Sequence, residues 1–150
     1  MRFRCRLGTL PHGTVLSSFL AVAHSQVTVT KCILIVDDSY AIRAATRHFL
    51  EQETEFAVCG EAIDGLDAIE KTEALHPDLI ILDLAMPRMN GLQAAEKLRA
   101  MSVCVPIILF TMYAEAIHSF DALAAGVNAV VSKTDLASLQ QHVERLLVTA

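Results

Sequence analysis

Residues that can bind a metal ion or carry a phosphoryl group follow four short apolar stretches of this sequence. Asp37 and Asp38 come directly after the first stretch, and Asp83 after the second. The hydroxyl of Thr111 follows the third stretch, and the ammonium of Lys133 follows the fourth. Carboxylates bind hard cations such as Mg²⁺, and a carboxylate can also act as a nucleophile that forms an aspartyl phosphate. These residue types therefore indicate phosphate or metal chemistry, provided that the fold brings them together.

The apolar stretches alternate with segments of helical periodicity, and this alternation predicts a parallel β-sheet. From Cys32 onwards the strand and helix pattern repeats five times without a linker or low-complexity tract. In open α/β sheets, ligands bind beyond the carboxyl ends of the strands. We therefore expect an α/β fold with a doubly wound, five-stranded sheet, helices on both faces, and the chemical side chains gathered at one edge.

Apolar runs, capping residues and chain breakers predict the bounds of these elements. The strands are expected at 32–36, 56–59, 79–82, 107–110 and 129–131, and the helices at 39–51, 65–75, from 91 onwards, 113–125 and 136–147. In the first helix, Ile42, Ala45, Phe49 and Leu50 are spaced to form one apolar face. Gly126 is expected to end the fourth helix in a left-handed conformation.

Composition and charge indicate one acidic domain with an aliphatic core. Of the 150 residues, 53% are hydrophobic and only 5% are aromatic. Residues 1–31 contain four basic residues and no acidic residue, so the remainder, with 8 basic and 17 acidic residues, carries a formal charge of −9. The phosphate backbone of a nucleic acid would repel such a domain, so we expect no direct nucleic-acid binding. No apolar run is long enough to span a membrane.

The start of the chain predicts an N-terminal extension over residues 1–30, followed by the folded domain at 31–150. Three arginines within residues 1–6 precede an apolar stretch, which loosely imitates a secretory signal. Gly8 and Pro11 delay that stretch, however. We expect a disordered or loosely attached extension, with a genuine signal or a short docking helix as alternatives.

The four cysteines predict neither a zinc site nor a disulfide scaffold. They stand at Cys5, Cys32, Cys59 and Cys104, widely spaced and without a C-x-x-C pair. We interpret them as buried or incidental thiols in a reducing cytosol, because free cysteine behaves as a small hydrophobic residue.

Three carboxylates at one edge of a sheet would repel one another, so the site calls for a cation. Mg²⁺ suits it, since this ion takes oxygen ligands, keeps waters and binds through one or two carboxylates plus phosphate oxygens. A metal ion beside Asp83 would help to neutralise an incoming phosphoryl group, and Lys133 could balance the charge from the opposite side. Taken singly, Thr111 is better explained as a helix cap and Lys133 as a solvated loop residue.

Five separated motifs resemble the receiver domain of bacterial two-component response regulators. They are ILIVDDS at 33–39, PDLIILDLAMPRMNGL at 77–92, PIILFT at 106–111, AGV at 125–127 and VSK at 131–133. The stretch GEAIDGLDAIE at 60–70 is most similar to receivers of the NarL/LuxR type. The resemblance covers residues 31–148 and implies a flavodoxin-like sheet of strand order 2-1-3-4-5 in a cytoplasmic protein.

The resemblance also implies a role for each acidic residue. Asp83 would be the phospho-acceptor, and the donor would be a phosphohistidine on a sensor histidine kinase or a phosphotransfer protein. Asp38 and Asp83 would bind Mg²⁺ together with the backbone carbonyl of Ala85. Asp37 would support the metal ion directly or through water.

Thr111 and Lys133 would sense the phosphoryl group, but the sequence departs from the receiver pattern around them. Thr111 would move towards the phosphoryl group, and Lys133 would pair with it. Receivers usually carry Tyr or Phe three residues before the lysine, whereas this chain has Val130 and so lacks the aromatic side chain that takes part in switching. Met112 stands where small residues are common and could restrict access, and Thr134 replaces a frequent proline.

The resemblance implies a signalling domain whose only catalysis is its own phosphorylation and dephosphorylation. The face built by the fourth helix, fifth strand and fifth helix would bind an effector or a second copy of the chain. The chain ends at Ala150, which leaves no room for a helix-turn-helix module, so a receiver fragment of a LuxR-type transcription factor is the alternative. A phosphatase of the haloacid dehalogenase type is less favoured, because its nucleophile lies in a D-x-D motif on the first strand.

Overall fold

The computed structural model describes residues 29–149, which form a parallel sheet of five strands with helices on both faces. The strands are β1 (Cys32–Val36), β2 (Ala57–Ala62), β3 (Leu79–Leu82), β4 (Ile107–Thr111) and β5 (Ala129–Ser132), and the helices are α1 (Tyr40–Glu53), α2 (Gly65–Leu75), α3 (Gly91–Ala100), α4 (Ser119–Ala124) and α5 (Leu136–Val148). The strand order β2-β1-β3-β4-β5 confirms the expected topology. Between residues 29 and 149, no helix has both the length and the apolar character that a membrane crossing requires.

Each face of the sheet packs a separate hydrophobic core. Leu34, Ile80 and Leu82 lie in the core that includes residues of α2, α3 and α4, while Ile33 and Ile81 face α1 and α5. These five side chains are at most 1% exposed. Because both faces are covered, the central strands contain no polar alternation, as parallel strands of this class require.

Helix α1 buries part of the predicted face, since Leu50 is buried and Phe49 packs against the core. Ala45 is exposed, whereas Arg43 and Thr46 are buried together with Leu50. A charged side chain can be buried when hydrogen bonds satisfy its polar groups, and apolar periodicity alone does not reveal such partners.

The fourth helix is shorter than predicted. A 3₁₀ turn occupies Ala114–Ala116, and α4 begins only at Ser119. The break arises where Ile117 adopts an extended conformation and packs against the core. Gly126 follows the helix with a φ of 81°, which confirms the left-handed conformation expected there.

A disulfide bond joins Cys32 of β1 to Cys59 of β2, so the interpretation of these two residues as separate thiols was wrong. Their Cα atoms are 5.4 Å apart because the strands are neighbours in the sheet. The sequence separation of 27 residues carries no motif for such a pair. Residues 1–28, with Cys5 and most of the expected N-terminal extension, lie outside the described residues.

Polar side chains cap four helices at the carboxyl edge of the sheet. Ser39, Asp64, Asn90 and Asp135 each accept a hydrogen bond from the backbone amide three residues later. The first amides of a helix lack partners within the helix, so each cap contributes about 1 kcal/mol. The caps hold the starts of α1, α2, α3 and α5 at the edge where the predicted site lies.

Gly91 allows the start of α3 to approach the backbone of Asp83. A Cβ atom at Gly91 would lie 2.2 Å from the backbone oxygen of Asp83. The amide of Gly91 also donates to the carbonyl of Leu84 at 2.9 Å. A residue with a side chain would therefore displace the loop that follows β3.

We expect Gly91→Ala to lower the free energy of unfolding by about 2 kcal/mol or more, because backbone atoms cannot move aside as side chains do. Gly60→Ala is the matched control. Its Cβ would meet the flexible end of Leu75 at 2.5 Å, which can rotate away. Urea denaturation measures both variants, and equal losses would contradict the account of the Asp83 contact.

Candidate functional site

Three carboxylates converge at the carboxyl ends of β1 and β3. One oxygen from each of Asp37, Asp38 and Asp83 lies within 4.8 Å of the others. Asp37 is 3% exposed and Asp83 is 5% exposed, whereas Asp38 is exposed to solvent. The amide of Asp83 donates to the carbonyl of Val36 at 2.9 Å, which joins the two strand ends. The structure thus brings the predicted acidic residues together.

Asp37 is held in place through both its side chain and its backbone. Its Oδ1 accepts from the amide of Ser39 at 2.8 Å, and its Oδ2 lies 2.5 Å from Nζ of Lys133. Its amide donates to the carbonyl of Ala62 at 3.0 Å, and its carbonyl accepts from Nη1 of Arg43 at 2.8 Å. The direction of this buried carboxylate is therefore set by four neighbours.

Lys133 bridges the two buried carboxylates. Its Nζ is 2.5 Å from Asp37 and 3.2 Å from Oδ2 of Asp83. Burial by itself would lower the pKa of Lys133, but the hydrogen bond and charge of Asp37, with those of Asp83, raise that pKa above its usual value. The lysine is accordingly a cation that offsets part of the repulsion between the acids.

The surroundings of Asp83 disfavour its charged form. Burial is the largest cause and raises the pKa of Asp83, Lys133 lowers it, and the charge of Asp37 raises it again, so that the pKa lies above its usual value. One lysine therefore does not fully compensate the site. A buried carboxylate with a raised pKa beside a specific charge partner is a candidate functional group.

Thr111 lies at the end of β4, close in the fold to Lys133. The side chain is fully buried, and its Oγ1 accepts a hydrogen bond from the amide of Tyr113 at 3.2 Å. The register pairs Thr111 with Ser132, and the amide of Lys133 donates to the carbonyl of Thr111 at 3.0 Å. Met112 is 61% exposed and lines a shallow cleft of about 330 Å³ beside this strand end.

Ala85 lies in the exposed loop two residues after Asp83. This loop is tied to α2 by an ion pair between Arg88 and Asp64, which the sequence did not predict. The amide of Asp67 and, more weakly, the guanidinium of Arg88 lower the pKa of Asp64 against the opposing effect of burial. The use of the Ala85 carbonyl as a ligand stays a prediction.

The donor set suits a hard divalent cation such as Mg²⁺. All three side chains offer carboxylate oxygens, and the exposure of Asp38 leaves that side open to water, which Mg²⁺ retains when it binds to proteins. Because burial and the charge of Asp37 raise the pKa of Asp83, a cation beside this carboxylate would favour its charged form.

Arg43 also contacts this site, although sequence reasoning missed it. Arg43 lies on the buried face of α1 with Thr46 and Leu50, whereas sequence patterns usually assign an arginine to the solvent-exposed face. No sequence motif links an arginine at this position to Asp37, six residues earlier.

Residues 33–144 match the family model described as response regulator receiver domain. The chain belongs to the response regulator receiver family. The matched range includes the acidic cluster, Thr111 and Lys133, and the resemblance found in the sequence is confirmed.

Individual relatives include signalling proteins with different additional parts. The chain is 37% identical over 101 residues to the nitrate/nitrite response regulator NarL of Escherichia coli, covering 67% of this chain and 47% of NarL. It is 40% identical over 109 residues to protein-glutamate methylesterase/protein-glutamine glutaminase 3 of Paramagnetospirillum magneticum, covering 73% of this chain and 30% of that protein. The chain therefore spans less than half the length of either protein.

A solved structure supports the same fold. Response regulator TrrA from Thermotoga maritima, determined in complex with Mg²⁺-BeF, is 31% identical, with a TM-score of 0.71 over 79% of this chain and all of that one. The NarL/LuxR-type similarity seen in the sequence is confirmed by NarL itself.

We expect Asp83→Asn to stabilise the metal-free protein at pH 7. The folded-state pKa of Asp83 lies above its ordinary value, so its ionisation opposes folding above both pKa values and has no such effect below both. The gain from the neutral amide should therefore shrink as the pH falls through the folded-state pKa towards the unfolded-state value.

Urea unfolding between pH 7 and pH 3 measures this effect. Asp121→Asn, which removes an exposed carboxylate on α4, is the control and should show no comparable gain. A less stable Asp83→Asn protein at pH 7 would show that the ion pair with Lys133 outweighs the burial of the charge.

Proposed function

We propose that this receiver domain accepts a phosphoryl group on Asp83 with the help of Mg²⁺ and then changes its affinity for a protein partner. The observation that carries the proposal is the convergence of Asp37, Asp38 and Asp83 in a member of this family, with Asp37 and Asp83 paired to the ammonium of Lys133. The donor would be a phosphohistidine on a sensor histidine kinase or a phosphotransfer protein.

The proposed transfer begins with the ionised carboxylate of Asp83. One of its oxygens attacks phosphorus, the bond between phosphorus and the donor imidazole nitrogen breaks, and its electron pair stays on that nitrogen. When bound by Asp37, Asp38, Asp83 and the carbonyl of Ala85, Mg²⁺ would neutralise charge on the phosphoryl oxygens. Phosphoryl transfer needs little more than such positioning and charge neutralisation.

Thr111 and Lys133 would report the phosphoryl group to the rest of the domain. The ammonium of Lys133, which pairs with Asp83 in this structure, can pair with a phosphoryl oxygen, and the hydroxyl of Thr111 can donate to another. Movement of Thr111 would break or carry with it the hydrogen bond from the amide of Tyr113. With Val130 in the usual aromatic position, we propose that Tyr113 carries the change outwards.

The proposed output surface lies around α4. Phe120 is 77% exposed, Leu123 is 74% exposed and Tyr113 is 58% exposed, so apolar side chains of α4 and of the segment after β4 face solvent. A shift between two conformations would alter this surface for an effector or for a second copy of the chain through the α4–β5–α5 face.

The proposal places the domain in the cytoplasm and assigns residues 31–150 to the receiver, with residues 1–30 as an extension. It limits catalysis to the domain's own phosphorylation and dephosphorylation, and it includes no direct nucleic-acid contact. A phosphatase of the haloacid dehalogenase type is not favoured, since Asp37 and Asp38 are adjacent on the loop after β1 while Asp83 follows β3. A receiver fragment of a LuxR-type transcription factor would use the same phosphorylation chemistry.

Labelled acetyl phosphate with Mg²⁺ should phosphorylate the wild-type protein, and Asp83→Asn should abolish the label because the amide of asparagine cannot replace the proposed carboxylate nucleophile. Asp121→Asn should be labelled like the wild type, and chelation of Mg²⁺ should suppress labelling. Equal labelling of Asp83→Asn and Asp121→Asn would refute the acceptor assignment.

Lys133→Ala should still be phosphorylated, but roughly 100-fold more slowly, because one preorganised cation at the transferring group is lost. Its phosphorylated form should also lack the NMR shift changes at Tyr113 and α4 that we expect in the wild type. Lys97→Ala removes an exposed lysine of α3 and serves as the control. An unaltered conformational response in Lys133→Ala would rule out the sensing role.

A further inference from the structure

Arg43 of α1 contacts the acidic loop through the backbone. Its side chain is 11% exposed, and its Nη1 donates to the carbonyl oxygen of Asp37 at 2.8 Å. That carbonyl belongs to the peptide unit between Asp37 and Asp38. A guanidinium that donates to it fixes the orientation of the peptide plane.

Asp38 depends on this peptide more than Asp37 does. The carboxylate of Asp37 is held by the amide of Ser39 and by Lys133. Within residues 29–149, by contrast, no hydrogen bond or ion pair holds the exposed carboxylate of Asp38. The direction in which Asp38 leaves the chain is therefore controlled by the backbone on either side of it.

Arg43 is itself anchored by Glu61 on β2. Its Nε lies 3.0 Å from Oε2 of Glu61, while Nε of Arg47 lies 2.7 Å from the other oxygen, Oε1. The residue after Glu61 is Ala62, whose carbonyl accepts from the amide of Asp37 at 3.0 Å. The end of β2 thus holds Asp37 directly through its amide and, through Arg43, by its carbonyl.

We infer that Arg43 is a positioning residue for the metal site, which raises the affinity for Mg²⁺ by fixing the Asp37–Asp38 peptide. The inference rests on the Mg²⁺ site in the proposed function and adds the residue that orients its exposed ligand. Partners that orient metal ligands typically affect metal affinity by 10–100-fold. The competing explanation is that Arg43 serves only to pack α1 against β2.

Arg47 makes a matched control possible. It pairs with the same carboxylate of Glu61 from the next turn of α1, and also contacts Glu51 and the carbonyl of Val58. It has no contact with Asp37 among the described residues. Arg47→Gln therefore removes a Glu61 ion pair without touching the acidic loop.

The experiment is titration of the full chain with MgCl₂ by isothermal titration calorimetry, without a phosphodonor. We expect Arg43→Gln to raise the dissociation constant about 10-fold, while Arg47→Gln keeps wild-type affinity. Arg43→Lys keeps the charge, and its single ammonium should pair with Glu61 and leave the Asp37 carbonyl. It should therefore also bind Mg²⁺ about 10-fold more weakly.

Phosphorylation by acetyl phosphate gives a second measurement. In both Arg43 variants, the Mg²⁺ concentration for half-maximal rate should rise by the same factor, while the rate at saturating Mg²⁺ stays at the wild-type value. If Arg43 has only a structural role, its variants should be less stable, but the Mg²⁺ concentration for half-maximal rate should not rise while the rate at saturating Mg²⁺ stays unchanged. Unfolding experiments on Arg43→Gln and Arg47→Gln give the stability loss against which the metal affinities are compared.

Wild-type Mg²⁺ affinity in Arg43→Lys, or equal affinities in Arg43→Gln and Arg47→Gln, would overturn the positioning role. If Arg43→Gln does not fold, Arg43→Lys alone decides the question. These results would leave the proposed function intact, because the wild type would still bind Mg²⁺. A wild-type chain that binds no Mg²⁺ would instead overturn the metal site itself, and this inference with it.

Discussion

Electrostatic repulsion among three carboxylates at one sheet edge is the constraint on which the site depends. Two of these groups are buried, and burial strengthens the repulsion because little water screens it. Lys133 lies between Asp37 and Asp83 and offsets part of the charge. The pKa of Asp83 is still raised, so the site retains a demand for positive charge. That demand gives a physical reason for a divalent cation, which in the proposed function would also neutralise charge on an incoming phosphoryl group.

The fold meets this constraint by holding the acidic groups through backbone contacts. The amide of Asp83 donates a hydrogen bond to the carbonyl of Val36, and the amide of Asp37 donates to the carbonyl of Ala62. The neighbouring strands therefore fix the backbone position of each acidic residue. Gly91 lets α3 press against the Asp83 backbone, and Arg43 reaches the carbonyl of Asp37 from α1. Substitution of Gly91 or Arg43 would therefore displace the carboxylates, although neither residue takes part in the proposed chemistry.

A route from the site to the surface follows from the same arrangement. Thr111 is buried at the strand end, its hydroxyl is bonded to the amide of Tyr113, and Tyr113 is largely exposed. The 3₁₀ turn and the short α4 come directly after this point, and Phe120 faces solvent there. In the proposed function, a small movement of the Thr111 hydroxyl would be passed through Tyr113 towards this six-residue helix.

The sequence alone was enough to predict the class of sheet and to identify the acidic residues, Thr111 and Lys133, because apolar runs and the polar residues that follow them are local signals. The strand order came from the family resemblance. Helix α1 shows what the sequence could not determine. From the sequence alone, Arg43 would be assigned to the solvent-exposed face, because its partners Asp37 and Glu61 are known only from the fold. Cys32 forms a disulfide bond with Cys59 only because β1 and β2 are neighbouring strands with a register shift. The break before α4 likewise depends on the packing of Ile117 against the hydrophobic core. Such features arise from contacts between residues distant in the chain, so only the tertiary structure decided them.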